Sequence, residues 1–302
     1  MKIVVTGGSG FIGSNIAREL DKNHEVIVLD DFSNGDFRNL TDFSGIVYAC
    51  DLTNFDWDAF FKDTKIDVIY HQAAITDTTV LDQKKMMDVN VNTFKKILDY
   101  AVKNKTRVIY ASSAAVYGRG KSPMQENQEL KPLNVYGFSK RIMDNLAQQH
   151  IQKYPEIALI GLRYFNVFGP GESHKNKFAS MIYQLYLQMK DNKRPRIFTD
   201  GQQTRDHIYI KDVVQANIKM MNCNQSGVYN LGTGKETSFN EIITYINDVL
   251  KKQLQPDYFE NPYDFYQDRT CADIEKISKA INYQPEFSVK KGIEDYFEKF
   301  GK

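Results

Sequence analysis

Short apolar runs alternate with longer amphipathic segments through the first half of the chain. The apolar runs predict six strands, and the segments between them predict helices; the strands are at 3–5, 25–30, 46–49, 67–71, 108–112 and 158–163, and the helices at 14–22, 82–104 and 134–154. Strands that are rich in β-branched residues and apolar throughout are typical of a parallel sheet covered by helices on both faces. We therefore predict an α/β fold built on a doubly wound parallel sheet.

The pattern becomes less regular after about residue 170. Helices are predicted at 176–190, 211–222, 238–252 and 288–298, with short strands at 195–198 and 228–230 between them. We interpret residues 1–170 as a first domain and residues 171–302 as a smaller α/β lobe. Because no linker rich in Pro, Gly or Ser separates the two, we expect the chain to cross between them.

Composition and charge argue against several classes of protein. The chain has 302 residues, with 39 Lys and Arg against 38 Asp and Glu, so no basic surface for nucleic acid is indicated. Its three cysteines are far apart and show no metal-ligand spacing, which favours reduced thiols and no metal site. The amino terminus lacks the apolar stretch of a signal peptide, and no apolar run is long enough to cross a bilayer. We expect a soluble, cytoplasmic protein.

A glycine-rich turn follows the first predicted strand. Gly7, Gly10 and Gly13 stand between that strand and the first predicted helix. Glycines at this spacing allow a tight turn and the close approach of a pyrophosphate, which the free N–H groups at the start of the helix would bind. The turn therefore predicts a dinucleotide site.

Acidic residues after the second strand bear on the choice of dinucleotide. Asp30 is placed to accept hydrogen bonds from the adenosine ribose, and Asp31 adds a second negative charge. Together they favour NAD, because the 2′-phosphate of NADP would be repelled. Arg38 is close enough in sequence to reverse this preference, so the choice stays open. Asp51 and Leu52, after the third strand, are candidates to flank the adenine ring.

A serine, a tyrosine and a lysine form a candidate catalytic group. Ser113 follows the fifth strand, at the sheet edge where doubly wound proteins bind ligands. Tyr136 and Lys140 are four residues apart and share one face of a predicted helix. A nearby ammonium would lower the pKa of the phenol, which could then take a proton from a substrate hydroxyl while hydride leaves the same carbon. The serine hydroxyl would hold the carbonyl that forms.

These residues belong to motifs that resemble the extended short-chain dehydrogenase/reductase superfamily. The motifs are TGGSGFIG at 6–13, HQAA at 71–74, ASSAAVYG at 111–118, YGFSK at 136–140, RYFNVFGP at 163–170, RDHIYIKD at 205–212 and NLGTG at 230–234. The resemblance implies a Rossmann domain, a substrate-binding carboxy-terminal lobe and NAD(P)-dependent chemistry on a nucleotide sugar.

Within this superfamily the chain most resembles the ADP-L-glycero-D-manno-heptose 6-epimerases. The narrower resemblance rests on the threonine-rich segment at 76–79, on Met86-Met87-Asp88 and on ESHK at 172–175. It implies that Lys175 is a second catalytic base beside Tyr136. The implied reaction is redox epimerisation, in which hydride leaves C6 of the heptose and returns to the other face of a transient ketone, with one base for each placement of the sugar.

The resemblance also implies contacts with each ligand. The implied cofactor contacts beyond the glycines are Phe11, Ile12, Asp30, Asp31, Gln72, Ala73, Ala74, Thr76, Asn90, Tyr136, Lys140 and Val167. The implied substrate contacts are Thr76, Ser113, Asn166, Lys175, Lys177, Gln184, Phe198, Thr199, Asp200, Gly201, Arg205 and Tyr266. The family further implies NADP, one cofactor per subunit, a homopentamer and a role in lipopolysaccharide core biosynthesis.

The sequence departs from that family at three places. The basic residues expected to hold the NADP 2′-phosphate are missing after Asp31, a glutamine replaces a histidine at Gln184, and a lysine replaces a serine at Lys177. Arg205 fits a diphosphate clamp, although a salt bridge to the neighbouring Asp206 is the alternative.

Three alternative functions fit the sequence less well. A UDP-hexose 4-epimerase would share the serine, tyrosine, lysine and cofactor but would lack the second base. A non-catalytic, cofactor-sensing Rossmann protein is disfavoured, because such proteins usually lose the tyrosine or the lysine. A 4,6-dehydratase is disfavoured because Ala114 and Ala115 stand where that family carries an Asp-Glu pair.

Overall fold

A seven-stranded parallel sheet forms the centre of the protein in a computed structural model that describes residues 1–260 and 268–298. Its strands in chain order are β1 (Lys2–Thr6), β2 (Glu25–Asp30), β3 (Ile46–Ala49), β4 (Val68–His71), β5 (Arg107–Ser113), β6 (Leu159–Tyr164) and β11 (Gly227–Leu231). Their spatial order is β11-β6-β5-β4-β1-β2-β3, and every neighbouring pair is parallel. The predicted doubly wound sheet is confirmed.

Helices cover both faces of this sheet. The helices of the first half are α1 (Phe11–Leu20), α2 (Trp57–Phe60), α3 (Gln83–Met87), α4 (Thr93–Asn104) and α5 (Val135–Lys153). Ile3 and Val5 of β1 point into the cluster that contains Ile16 of α1, whereas Val4 points into the opposite cluster with Phe94 of α4. Alternate residues of one strand are therefore buried on opposite faces, which explains why its sequence is apolar without interruption.

The long helix predicted over 82–104 contains an irregular turn. A π-helical turn, Asp88–Asn92, separates α3 from α4. Asn90 on this turn is fully buried, and its side chain accepts a hydrogen bond from the N–H of Ile75 at 2.8 Å and donates to Ser139 Oγ on α5 at 3.0 Å. The π-helical turn therefore carries an asparagine whose side chain connects the segment after β4 to α5.

Small strands and five helices make up the rest of the described chain. The helices are α6 (Met181–Lys190), α7 (Ile210–Met220), α8 (Phe239–Leu250), α9 (Glu275–Ile281) and α10 (Val289–Glu298). The small strands pair as β7 (Asn166–Phe168) with β10 (His207–Tyr209), β8 (Arg196–Phe198) with β13 (Asp257–Phe259), and β9 (Thr204–Arg205) with both β12 (Thr237–Ser238) and β14 (Arg269–Thr270). None of the helices in the described ranges is long and apolar enough to span a membrane.

The helix predicted over 176–190 is shorter than expected. It begins at Met181, and Ser173–Phe178 forms a 3₁₀ turn before it. Asn176 has φ +49°, which breaks the helical run, and Ser180 then caps α6 by accepting a hydrogen bond from the N–H of Tyr183 at 3.2 Å. This turn, which carries Lys175, is therefore a separate element.

A buried polar network joins β11, the last strand of the central sheet along the chain, to β6 and α5. Arg163 of β6 and Asp144 of α5 are almost fully buried and form an ion pair at 2.9 Å. Arg163 also donates to Tyr117 Oη at 2.8 Å, and Tyr117 donates to Asn230 of β11 at 2.6 Å. A buried ion pair is tolerated when such hydrogen bonds satisfy it. Hydrogen bonds between buried side chains therefore connect β11, which comes from the region beyond residue 170, to the strands of the first half of the chain.

Candidate active site

The carboxyl ends of the central strands open into a cleft of about 1910 Å³. It brings together most of the residues that the sequence analysis proposed. The proposed residues that line it are Gly7, Gly10, Phe11, Ile12, Gly13, Asp30, Asp31, Asp51, Leu52, Gln72, Ala73, Ala74, Thr76, Ser113, Tyr136, Lys140, Val167, Lys175 and Lys177. The described residues contain no group of three His, Cys, Asp or Glu side chains that could hold a metal ion.

The glycine turn is packed too closely to admit side chains. A Cβ on Gly7 would lie 2.5 Å from the backbone nitrogen of Ala73, and one on Gly13 would lie 2.1 Å from the carbonyl oxygen of Gly7. Gly7 also has φ +68°, a conformation that L side chains rarely adopt. The turn leads into α1, whose N-cap residue, Gly10, has no side chain that could cap the helix. The N–H groups at the start of α1 therefore suit a phosphate.

Asp30 lies at the end of β2 and is buried. Its carboxylate accepts hydrogen bonds from the N–H groups of Ser9 and Phe32, both at 2.8 Å. The carboxylate of Asp31 accepts from Ser33 instead, through both its N–H and its hydroxyl group. Two carboxylates thus line the same cleft as the glycine turn.

The guanidinium of Arg38 is engaged with Asp36. Its Nε lies 2.9 Å from Asp36 Oδ2, and Nη2 makes a further short contact with the same oxygen. These hydrogen bonds lower the pKa of Asp36 to about 2. Arg38 is outside the set of described residues that line the cleft. The arginine that could have reversed the preference for NAD is therefore paired beside the cleft.

Two buried polar atoms on the cleft wall have no hydrogen-bond partner among the described residues. They are Nε2 of Gln72, after β4, and Oγ of Ser112, near the end of β5. The other amide atom of Gln72, Oε1, accepts a hydrogen bond from Tyr164 Oη at 3.1 Å, which orients the side chain. Buried polar groups are normally satisfied, so both atoms suit the polar groups of a ligand. Together with the glycine turn and Asp30, they fit a dinucleotide.

Tyr136 and Lys140 lie on one face of α5. Asn134 caps this helix by accepting a hydrogen bond from the N–H of Gly137 at 2.8 Å. The ammonium of Lys140 lies 5.9 Å from the centre of the Tyr136 ring and donates to the carbonyl oxygen of Ala111 at 2.8 Å. Ser113, at the end of β5, lines the same cleft.

The pKa values of these groups correct one expectation. Burial raises the pKa of Tyr136, and a hydrogen bond with Ser113 lowers it only in part. We predicted that Lys140 would lower this pKa, but its ammonium bonds to Ala111 and is itself deeply buried. Burial lowers the pKa of Lys140 to about 8, against the opposing charge of Asp144.

Lys175 reaches the same cleft from the 3₁₀ turn at Ser173–Phe178. Its ammonium lies 5.9 Å from the centre of the Phe11 ring, at the start of α1. Burial lowers the pKa of Lys175, and the negative charge of Glu172 opposes that shift. The cleft therefore contains a second group, besides Tyr136, that can exchange a proton near the glycine turn.

Asn90 does not line the cleft, although it was a predicted cofactor contact. It is fully buried, and its side-chain amide forms hydrogen bonds with the backbone of Ile75 and with the hydroxyl of Ser139. A side chain with no exposed surface cannot touch a ligand directly. We correct that expectation: Asn90 braces the wall.

Several proposed substrate residues lie outside the set that lines the cleft. These are Asn166, Gln184, Phe198, Thr199, Asp200, Gly201 and Arg205. Gln184 donates to the carbonyl oxygen of Ala179 at 2.7 Å, and Arg205 donates to those of Thr204 and Asp268. Asp206 does not depend on Arg205, since it accepts hydrogen bonds from Thr233, Gly234 and Ala272. Tyr266 lies outside the described residues.

Two asparagines that the sequence did not single out connect the glycine turn to the segment before Lys175. Asn15 donates to the carbonyl oxygen of Pro170 at 3.0 Å, and to that of Phe11 at 2.9 Å. Asn39 donates to the carbonyl oxygens of Ser9 at 3.0 Å and of Gly171 at 3.2 Å. No sequence pattern marks single asparagines of this kind.

Comparison with known proteins places the chain in a family. Residues 3–232 match the NAD dependent epimerase/dehydratase family. An ADP-L-glycero-D-manno-heptose-6-epimerase of Brachyspira hyodysenteriae is 37% identical to this chain, over 98% of this chain and 96% of the relative.

Solved structures of epimerases have the same fold. The ADP-L-glycero-D-manno-heptose-6-epimerase of Helicobacter pylori superposes with a TM-score of 0.93 at 40% identity, covering 99% of this chain and 96% of that chain. A UDP-N-acetylglucosamine 4-epimerase of Methanobrevibacter ruminantium gives a TM-score of 0.92 at 28% identity, covering 99% and 97%. The chain therefore belongs to the NAD-dependent epimerase/dehydratase family and is an isomerase of the epimerase type.

Proposed function

We propose that the protein is an ADP-L-glycero-D-manno-heptose 6-epimerase that inverts C6 of ADP-D-glycero-D-manno-heptose. Relatives named for this activity match almost the whole chain at 37% and 40% identity, against 28% for the 4-epimerase structure. The observation that carries the proposal is the presence of Lys175 and Tyr136 in one cleft. Inversion by redox at one carbon needs a proton acceptor for each placement of the sugar, and these two groups supply them.

The cofactor would lie along the glycine turn. Gly7, Gly10 and the start of α1 would hold its pyrophosphate, Asp30 its adenosine ribose, and Gln72 and Ser112 polar groups further along the cleft. When bound, a nicotinamide takes hydride from the substrate carbon and gives it back, so the reaction needs no net oxidant.

The proposed catalytic residues have separate tasks. Tyr136 and Lys175 take and return the proton of the hydroxyl at C6, one for each placement. Ser113 holds the oxygen of the transient carbonyl by donating a hydrogen bond. Lys140, whose ammonium lies 5.9 Å from the centre of the Tyr136 ring, would stabilise the negative charge that develops on the phenol during proton transfer.

The first experiment follows the conversion of ADP-D-glycero-D-manno-heptose by anion-exchange chromatography and proton NMR. We expect the wild-type protein to form the L-glycero epimer without added cofactor. Tyr136→Phe and Lys175→Met should each lower kcat by about 100-fold or more, because each removes one proton acceptor. Lys95→Met, an exposed lysine on α4, is the control and should keep full activity.

UDP-hexoses are tested in parallel with the same four proteins. If ADP-heptose is untouched while UDP-hexoses are interconverted, and Lys175→Met has no effect, the protein is a 4-epimerase. If neither sugar nucleotide reacts although bound cofactor is present, the heptose assignment is also wrong.

We further propose that the cofactor is NAD, with one molecule bound per subunit. The support is the pair of carboxylates, Asp30 and Asp31, on the cleft wall and the engagement of Arg38 with Asp36. Mass spectrometry of the nucleotide released from denatured protein should find NAD or NADH. Recovery of NADP instead would contradict this proposal.

Other features remain proposals that rest on the resemblance. They are the carboxy-terminal lobe as the substrate-binding part, the contacts of Asn166, Lys177, Gln184, Phe198 to Gly201, Arg205 and Tyr266 with the ADP-sugar, a homopentamer, a cytoplasmic location and a role in lipopolysaccharide core biosynthesis. Light scattering coupled to size-exclusion chromatography tests the pentamer directly.

A further inference from the structure

Glu172 is a fully buried carboxylate three residues before Lys175. Its Oε1 accepts hydrogen bonds from the N–H of Gly169 and from the hydroxyl of Ser180, both at 3.0 Å. Its Oε2 accepts from the N–H of Ser180 at 2.6 Å. One side chain therefore joins the two ends of the segment 169–180.

Lys175 lies inside the segment that this carboxylate closes. The backbone of Glu172 contributes too, because its carbonyl oxygen accepts the N–H of Lys175 at 3.0 Å and so starts the 3₁₀ turn. Asn15 and Asn39 hold Pro170 and Gly171 from the side of the glycine turn. Glu172 is the component of this frame that ties the turn to α6.

Capping of α6 does not by itself account for a buried carboxylate here. Ser180 is already the N-cap, through its own hydroxyl. Burying a carboxylate costs several kcal/mol before hydrogen bonds offset it. Burial accordingly raises the pKa of Glu172, and its hydrogen bonds with Gly169 and Ser180 lower it. The buried carboxylate of Glu172 therefore needs an explanation other than the capping of α6.

Several charged or titratable groups surround Glu172 and Lys175. Burial is the main cause of the raised pKa of Tyr183 on α6 and of Tyr296 on α10, and the charge of Glu172 adds to both. His174 lies next to Lys175, and its lowered pKa is due first to burial. Lys175 is the cation of this group that lines the cleft.

We propose that Glu172 is a positioning residue that holds the 169–180 segment closed and thereby keeps the amine of Lys175 in the cleft. The proposal rests on the proposed function for the role of Lys175 as a base, but not for its position. The two parts can therefore be tested separately.

The catalytic test is a double-mutant cycle of Glu172→Gln and Lys175→Met. In Glu172→Gln an NH₂ group would face donors, so the segment opens, and we expect kcat to fall by about 10- to 100-fold with little change in KM. In the Lys175→Met background the same substitution should have almost no further effect, because both changes act through one amine. Independent, multiplicative losses would overturn the proposal.

The second test needs no substrate. Competitive labelling with trace acetic anhydride from pH 6 to 11, read by mass spectrometry, gives the labelling midpoint of Lys175 itself. In Glu172→Gln we expect the midpoint to move up toward that of exposed lysines, because loss of burial outweighs loss of the carboxylate charge. A downward shift would mean that Glu172 acts through charge alone, and an unchanged midpoint that it has no influence; either result overturns positioning.

Asp212→Asn is the matched control. Asp212 is also a buried carboxylate, and it accepts two backbone N–H groups, from Glu286 and Phe287, away from the cleft. This variant should lose stability without moving the Lys175 midpoint.

Ser180→Ala, which removes one donor to Glu172, serves as a milder variant and should move the Lys175 midpoint in the same direction as Glu172→Gln. If wild-type protein ignores ADP-heptose but the midpoints behave as expected, the proposed function fails and the positioning role stands.

Discussion

Individual side chains in the cleft are held at a cost to stability, and Lys140 shows this most clearly. Its pKa falls from 10.5 to about 8 on burial, which corresponds to roughly 3 kcal/mol at pH 7 for keeping the ammonium charged. The buried ammonium of Lys140 therefore destabilises the folded state at pH 7.

Lys140→Met should stabilise the protein while it abolishes epimerisation. We expect the free energy of unfolding at pH 7 to rise by about 1–2 kcal/mol, because the lost hydrogen bond offsets part of the gain. Because the folded pKa is depressed, wild-type stability should increase by roughly 3 kcal/mol relative to the variant between about pH 8 and 10.5. The wild type should therefore be the more stable of the two at pH 10.5, by about 1–2 kcal/mol. Calorimetry on nucleotide-free protein at pH 7 and pH 10.5 checks this, and a lower Tm for the variant at pH 7 would contradict it.

Prediction from sequence worked at this scale where a residue belongs to a spaced motif. The glycines of the turn, Tyr136 and Lys140 have fixed spacing and a chemical reason for it. Asn39 belongs to no such motif, and Glu172 stands in the ESHK segment without a chemical reason that the sequence shows. A single carboxylate or amide in a loop acquires a role only through the partners that folding brings to it. The rise in the pKa of Tyr136 was missed for a related reason, since sequence shows which charges are near but not how far the group is desolvated.

At the scale of secondary-structure elements, an irregular turn can depend on one side chain for its stability. The π-helical turn before α4, with Asn90, is an example. Asn90→Ala would leave the N–H of Ile75 without its partner and would remove the hydrogen bond that Ser139 Oγ accepts, although Ser139 would still donate to the carbonyl oxygen of Tyr136. We expect a loss of about 2–4 kcal/mol in the free energy of unfolding, measured by urea denaturation. Asn92→Ala, an exposed change on the same turn, should alter it by less than about 0.5 kcal/mol. Equal effects of the two would show that Asn90 is not a brace.

Strands of the central sheet were predictable because their apolar runs are long enough to show a pattern. The strands β2 and β3 have the predicted limits. The two-residue strands β9, β12 and β14 are not predicted, because two residues carry no periodicity and their pairing depends on distant parts of the chain. The last three residues of the turn at Ser173–Phe178 fall within the helix predicted over 176–190, because the positive φ of Asn176 is not visible in the sequence.

Folding of the whole molecule should be cooperative across residue 170. The strand β6 pairs with β11, and the Arg163–Asp144 pair is linked through Tyr117 to Asn230. We expect a fragment of residues 1–170 to lack a defined fold, because it would expose one side of β6 and leave this buried network incomplete. Dispersed proton NMR signals and a sharp urea transition for the fragment would contradict this, and the full chain at matched concentration is the control.

The two asparagines that join the glycine turn to the Lys175 segment have a consequence for the rate of turnover. Asn15 and Asn39 join the glycine turn and the segment that carries Lys175 into one unit by hydrogen bonds. An epimerase that returns its hydride to the substrate does not need to release its dinucleotide between turnovers. This unit can therefore stay assembled through many cycles. The slow events that remain are then entry, rotation and departure of the sugar, and viscosity of the medium should slow the enzyme more than any change in cofactor concentration.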